Sequence, residues 1–178
     1  MSNPVQRLSE FPSTIDSNQV KAEWEDEMSD SRVNVALATP LLSFMMFRCK
    51  FHWTDDPRIT TAAAMVYNGE NHLFFNPLFF FKVLKNTKQR AFVVIHEVLH
   101  VFLEHCGRAL EQGYNPELWN IATDYVINLV ASGAYQDESG SVQYASRYTL
   151  YMARPEKVLF DTRFIGMSAD EVYHLILE

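Results

Sequence analysis

Apolar positions are sparse along the start of the chain until Val33, Val35 and Leu37, so residues 16–38 predict a helix that begins exposed and ends buried. Thr39-Pro40 reads as a cap and a first helical position, and the almost wholly apolar run 41–47 predicts a short core helix. The pattern then changes. Residues 58–67, rich in Thr, Ala, Ile and Val, lead into Asn68-Gly69, a pair suited to a tight hairpin turn, and His72-Leu73-Phe74-Phe75 is the return strand. Asn76-Pro77 caps a helix through Phe79, Phe80 and Val83, and Thr87 caps a longer helix that is expected to run to Gly107. Another helix opens at Asn115-Pro116-Glu117 and closes near Ser132-Gly133. Residues 134–160 show no clear period and predict an irregular excursion, after which Ser168-Ala169-Asp170-Glu171 is a capping box for a last helix through Tyr173, Leu175 and Leu177. These elements predict an α+β class, mostly helical with one small sheet.

Composition narrows the picture. With 178 residues, 48% of them hydrophobic, the chain can bury a core of its own, and a single domain over residues 16–178 is expected after a loose N-terminal stretch, 1–15. No apolar run approaches the length of a bilayer span, so no membrane association is expected. The N-terminus has no basic segment leading into an apolar one, which points to a cytoplasmic address. Fifteen Lys and Arg against 22 Asp and Glu leave a net charge of -7, which opposes phosphate-backbone binding, so no nucleic acid partner is expected. Cys49 and Cys106 form neither a metal knuckle nor a disulfide framework and read as reduced thiols.

The chemistry concentrates in His96-Glu97-Val98-Leu99-His100, an HExxH pattern on the predicted helix that begins at Thr87. At about 100° per residue the two histidines lie roughly 40° apart on one face, so both imidazoles can reach one metal ion while Glu97 sits alongside to contact a metal-bound water. The same helix carries Phe92, Val93, Val94, Ile95, Val98, Leu99 and Val101, which marks it as central and buried. Two histidines and a glutamate are costly there without partners.

A third ligand is needed. The helix after Asn115 is largely apolar, yet Asn120, Asp124 and Asn128 recur every four residues as one polar stripe, and Asp124 is its sole carboxylate. The gap from His100 to Asp124 allows a helix end, a loop and a return helix. Asn120 and Asn128 would then support the ligands from behind. The competing interpretation is a solvent-facing stripe. Two rival ligands remain: Glu104, four residues beyond His100, which could instead buffer an imidazole, and His105, about 180° from His96 around a continuous helix.

The segments "YNGENHLFFNP" at 67–77, "HEVLHVFLEHCGR" at 96–108, "LWNIATDYVIN" at 118–128 and "FDTRFIGMSADEVYHLI" at 160–176 resemble a known family. This is the putative metallopeptidase domain family of bacterial and phage proteins, often fused to a C-terminal von Willebrand factor A-like domain. The resemblance implies a zincin-like fold with a small sheet or hairpin packed on the HExxH helix. It also implies His96 and His100 as metal ligands, Glu97 as the catalytic glutamate, Asp124 as third ligand, and a von Willebrand factor A-like partner domain or chain.

Together these readings predict a Zn²⁺-dependent peptidase acting on a peptide or protein substrate, with Glu97 as general base toward a metal-activated water. Tyr125, Tyr148 and Tyr173 are candidate donors to the developing oxyanion. The alternatives are a catalytically inactive zincin-like binding or regulatory module, and a hydrolase of a nonpeptide amide. Substrate is expected to lie extended along the edge of the hairpin at 59–75.

Overall fold

The computed structural model describes residues 10–103 and 105–178, without the side chains of residues 105 and 106. Helix α1 (Ala22–Ala38) buries Met28, Ser31, Val35 and Ala38, a spacing of three and four that makes one inward stripe. Thr39 caps helix α2 (Pro40–Met46) by accepting from the Leu42 N–H, with Pro40 at the first helical position as its sequence suggests. The expected core helix is only half buried, however. Ser43 and Met46 point inward while Leu41 and Phe44 are exposed, because a short helix crossing a corner can turn only one face to the core.

The hairpin consists of β2 (Ala62–Tyr67) and β3 (Glu70–Phe75), antiparallel as read from the sequence. Asn68 and Gly69 both take positive φ, 50° and 76°, the geometry that tight hairpin turns demand. A strand that the sequence pattern did not announce, β1 (Cys49–Trp53), adds to β3 in parallel and makes the order β1-β3-β2. Phe51, Trp53, Leu73, Phe75, Ala62 and Ala64 join the main core from this sheet. On the sheet's other face the Phe11 ring packs edge-on against His52, His72 and Phe74. Of the N-terminal stretch expected to be loose, residues 1–9 lie outside the described part. Ile15 donates its N–H to the Trp53 carbonyl at 3.0 Å, and the Thr54 hydroxyl donates to the Ser13 carbonyl at 2.6 Å.

Where the sequence suggests an ordinary helix through Phe80, the chain forms a π-helical turn over Phe79–Val83. Such wide turns leave carbonyls poorly matched, and Arg90 compensates: its Nε donates to the Phe80 carbonyl and its Nη2 to that of Leu84, while Nη1 pairs with Glu27 at 2.8 Å. Arg90 belongs to α3 (Thr87–Phe102), capped by the Asn86 side chain and buried along nearly its whole length. Helix α3 is the axis of the fold, touching α1, α2, β2 and α5 (Pro116–Ser132).

Two expectations about chain path are corrected. The helix from Thr87 does not continue to Gly107: α3 ends at Phe102, and a separate α4 (His105–Gln112) follows. Residues 134–160 are not irregular throughout, since β4 (Ala134–Gln136), β5 (Val142–Tyr144) and α6 (Ser146–Tyr151) lie within them. Asp137 holds the β4–β5 turn by accepting from the N–H groups of Ser139 and Ser141, a local device that periodicity does not register.

Helix α7 (Ala169–Leu177) carries the capping box formed by Ser168 and Glu171 and packs on α5. This contact builds a second core cluster from Trp119, Ala122, Leu129, Phe164, Val172 and Tyr173. The first cluster takes Ile127 and Ala131 from the same helix, so α5 is shared between the two. The fold is therefore a mixed helical one with small sheets. Among the described residues no helix is long and apolar enough to cross a membrane.

Candidate functional site

The polar groups that interrupt this apolar interior meet where α3 faces α5. His96 and His100, one turn apart on α3, are both buried, and their Nε2 atoms stand 3.0 Å from each other. Asp124 on α5 brings its Oδ1 to 3.0 Å from His100 Nε2 and 3.5 Å from His96 Nε2. The stripe read from the sequence does not face solvent: Asn120, Asp124 and Asn128 are all buried, with Asp124 only 3% exposed. These three donor atoms are close enough together to hold a metal ion.

Proton placement supports that use. Asn128 Nδ2 donates to the Leu159 carbonyl at 2.8 Å, so its Oδ1 is the atom that faces His96 Nδ1, also at 2.8 Å. A carboxamide oxygen can only accept, hence His96 carries its proton on Nδ1 and donates it to Asn128. The Nε2 of a neutral His96 is then a lone pair aimed at His100 and Asp124. A lone pair and a carboxylate facing one another in a buried site need a cation or a proton between them. A small divalent ion with tetrahedral bonds of about 2.0–2.1 Å separates its ligand atoms by about 3.3 Å. The observed separations of 3.0, 3.0 and 3.5 Å bracket that spacing, so the residues fit the group.

The electrostatics agree. Burial would raise the Asp124 carboxyl, but the His100 hydrogen bond and the positive charge that the two imidazoles carry when protonated outweigh it and hold the group below the ordinary aspartate range. Glu97 behaves in the opposite way: burial pushes it up to about 7, with His96, when protonated, opposing the rise and the charge of Asp124 adding to it. One carboxylate is thus kept ionised beside the imidazoles. The other is poised to exchange a proton near neutrality.

The remaining candidates divide. Asn128 touches His96 directly, and Asn120 is buried one turn before Asp124. Glu104 and the His105 side chain lie outside the described residues. His105 lies opposite His96 only on a continuous helix, and α3 ends at Phe102. Among the tyrosines, the Tyr125 ring packs edge-on against Phe164, and Tyr148 lies over Gly133 at the C-terminal end of α5. The Tyr173 hydroxyl accepts from the Asn115 N–H at 2.9 Å, and its ring stacks on Tyr114. Asn115 precedes Asp124 by about 13 Å of helix, so that contact anchors α7 away from the three donor atoms. The group missed in the sequence is the Leu159 carbonyl. No side-chain signal could have marked it, because every residue carries one.

No curated protein and no solved structure matches the chain. A family described as "Putative metallopeptidase domain" matches residues 23–174, from the first turn of α1 to within α7. Both helices that supply the donor atoms fall inside the match, and the chain belongs to the putative metallopeptidase domain family.

Proposed function

We propose that this protein is a zinc-dependent metallopeptidase with a zincin-like arrangement, in which His96, His100 and Asp124 hold the ion and Glu97 is the general base. The observation that carries the proposal is the convergence of two imidazole nitrogens and one carboxylate oxygen within 3.0–3.5 Å of one another. Two imidazoles and a carboxylate form a usual three-ligand set for catalytic zinc, leaving a position open to water or substrate. Zinc bound there would supply Lewis acidity, lowering the pKa of a water toward about 7 and polarising a carbonyl. Glu97 follows His96 on α3 and feels the charges of both His96 and Asp124. From that place it takes a proton as water attacks and returns one to the leaving amine.

The test is metal content. The purified chain should hold about one zinc per molecule, and its thermal midpoint should fall on chelation, because an ion bound by the native state adds to native stability. His96→Ala should hold less. Absence of any transition metal, with no uptake on zinc addition, ends this reading.

Sheet order supports one mode of substrate docking. β3 is central, so β2 is an edge strand, and it is also the strand with the most extensive contact to α3. An edge offers unpaired N–H and C=O groups to an extended peptide without fixing its sequence. Proline placed singly in β2, at positions whose N–H points away from β3, should impair hydrolysis and leave zinc bound. Undiminished hydrolysis in every such variant would reject this docking mode.

A further inference from the structure

At the junction of α1 and α2 the described residues leave an apolar surface uncovered. Leu41, Phe44 and Phe47 are 74%, 63% and 62% exposed, and their three-residue spacing puts them on one side of α2 while Ser43 and Met46 face the core. Val33 and Leu37 on α1 are exposed as well. Single exposed apolar side chains are ordinary, but three large ones on one side of a short helix mark a contact surface.

Charge is distributed to match. Glu23, Glu25, Asp26, Glu27 and Asp30 crowd the first half of α1, whereas residues 31–48 contain no acidic residue and two arginines, Arg32 and Arg48, in a chain of net charge -7. The Arg48 guanidinium lies 5.7 Å from the Phe44 ring, and that of Arg32 lies 5.5 Å from Phe47 and 4.5 Å from Phe51. Arg58, Arg90, Arg108 and Arg163 each hold a carboxylate. Among the described residues Arg32 and Arg48 have neither a hydrogen-bond nor an ion-pair partner for their guanidinium groups, and the buried Nε of Arg32 meets no acceptor. Stacked, unpaired arginines beside exposed aromatics are the combination that interface centres favour.

We infer that this surface docks an acidic, amphipathic segment of another protein, its apolar side chains lying on Leu41, Phe44 and Phe47 and its carboxylates pairing with Arg32 and Arg48. An anionic bilayer would attract the two arginines but repel the chain's overall negative charge. The inference is independent of the metal site.

The experiment uses the full chain and a helix-forming peptide of about twenty residues, with leucines at every third or fourth position flanked by glutamates, beside a twin with lysine for each glutamate. The glutamate peptide should bind saturably in fluorescence anisotropy and at least about tenfold more tightly than the twin. Leu41→Ser with Phe44→Ser should lose at least about tenfold of that affinity, and Arg32→Gln with Arg48→Glu should move the preference toward the lysine twin. Circular dichroism melts check that the variants stay folded. Equal binding of both peptides, or no saturable binding of the glutamate peptide, overturns the inference. So does capture on phosphatidylserine vesicles, or a dimer seen in sedimentation, if Phe44→Ser abolishes it.

Discussion

Glu97→Gln should leave zinc uptake unchanged and lower peptide hydrolysis by about 10²- to 10⁴-fold, the range attributable to one positioned proton-transfer group. The carboxylate is not among the three atoms that converge on the candidate metal position, so the amide should not disturb them. Volume is nearly conserved on a helix that is packed on most sides, so the change isolates chemistry from stability. Because Glu97 is buried, bulk water is poorly placed to replace it as proton acceptor. Parallel measurement of zinc content, melting temperature and cleavage of a peptide library separates the outcomes. A variant that cleaves as fast as the parent would falsify the assignment of Glu97 as base. If neither protein cleaves any peptide although both bind zinc, the non-catalytic binding module becomes the better account.

What the sequence revealed follows from which interactions are local. The α3 residues were legible because HExxH spacing is a property of one helix, and Asp124 because it is the one carboxylate in the Asn120-Asp124-Asn128 stripe of a largely apolar helix. The turn at Asn68-Gly69 was legible for the same reason: two adjacent residues determine it. β1 was not, since Cys49-Lys50-Phe51-His52-Trp53 has no β-branched residue and its strand state depends on parallel pairing with β3, distant in sequence. The end of α3 was hidden because Val101, Phe102 and Leu103 continue the apolar pattern across it. In α2 the apolar run suggests core, whereas the three-residue spacing of Leu41, Phe44 and Phe47 holds the information that they share an outward face. Burial is a property of the assembled layers, and the run alone could not supply it.

The second large effect is expected at Asp124. Asp124→Ala should weaken zinc binding about as heavily as His100→Ala, because each removes one of three donor atoms and leaves the others within 3.5 Å of one another without a complete set. Loss of the aspartate also removes the negative charge that offsets the ion, a deficit two neutral imidazoles cannot make good. Asn128→Ala should cost less, about 10- to 100-fold in affinity, since it leaves all three donors and removes only the group that holds the His96 proton on Nδ1. That role has its own signature in the metal-free protein: nitrogen NMR should find His96 as the Nδ1–H tautomer in the parent and as a mixture in Asn128→Ala. Asn120→Ala should fall within the same smaller range. His105→Ala belongs in the same series, as α3 ends before that residue and helical angle no longer argues against it. Zinc lost from His105→Ala but retained by Asp124→Ala would transfer the third-ligand role from α5 to the start of α4. Zinc lost from Asp124→Ala and kept by His105→Ala would establish the pairing of α3 with α5 as the frame of the metal centre.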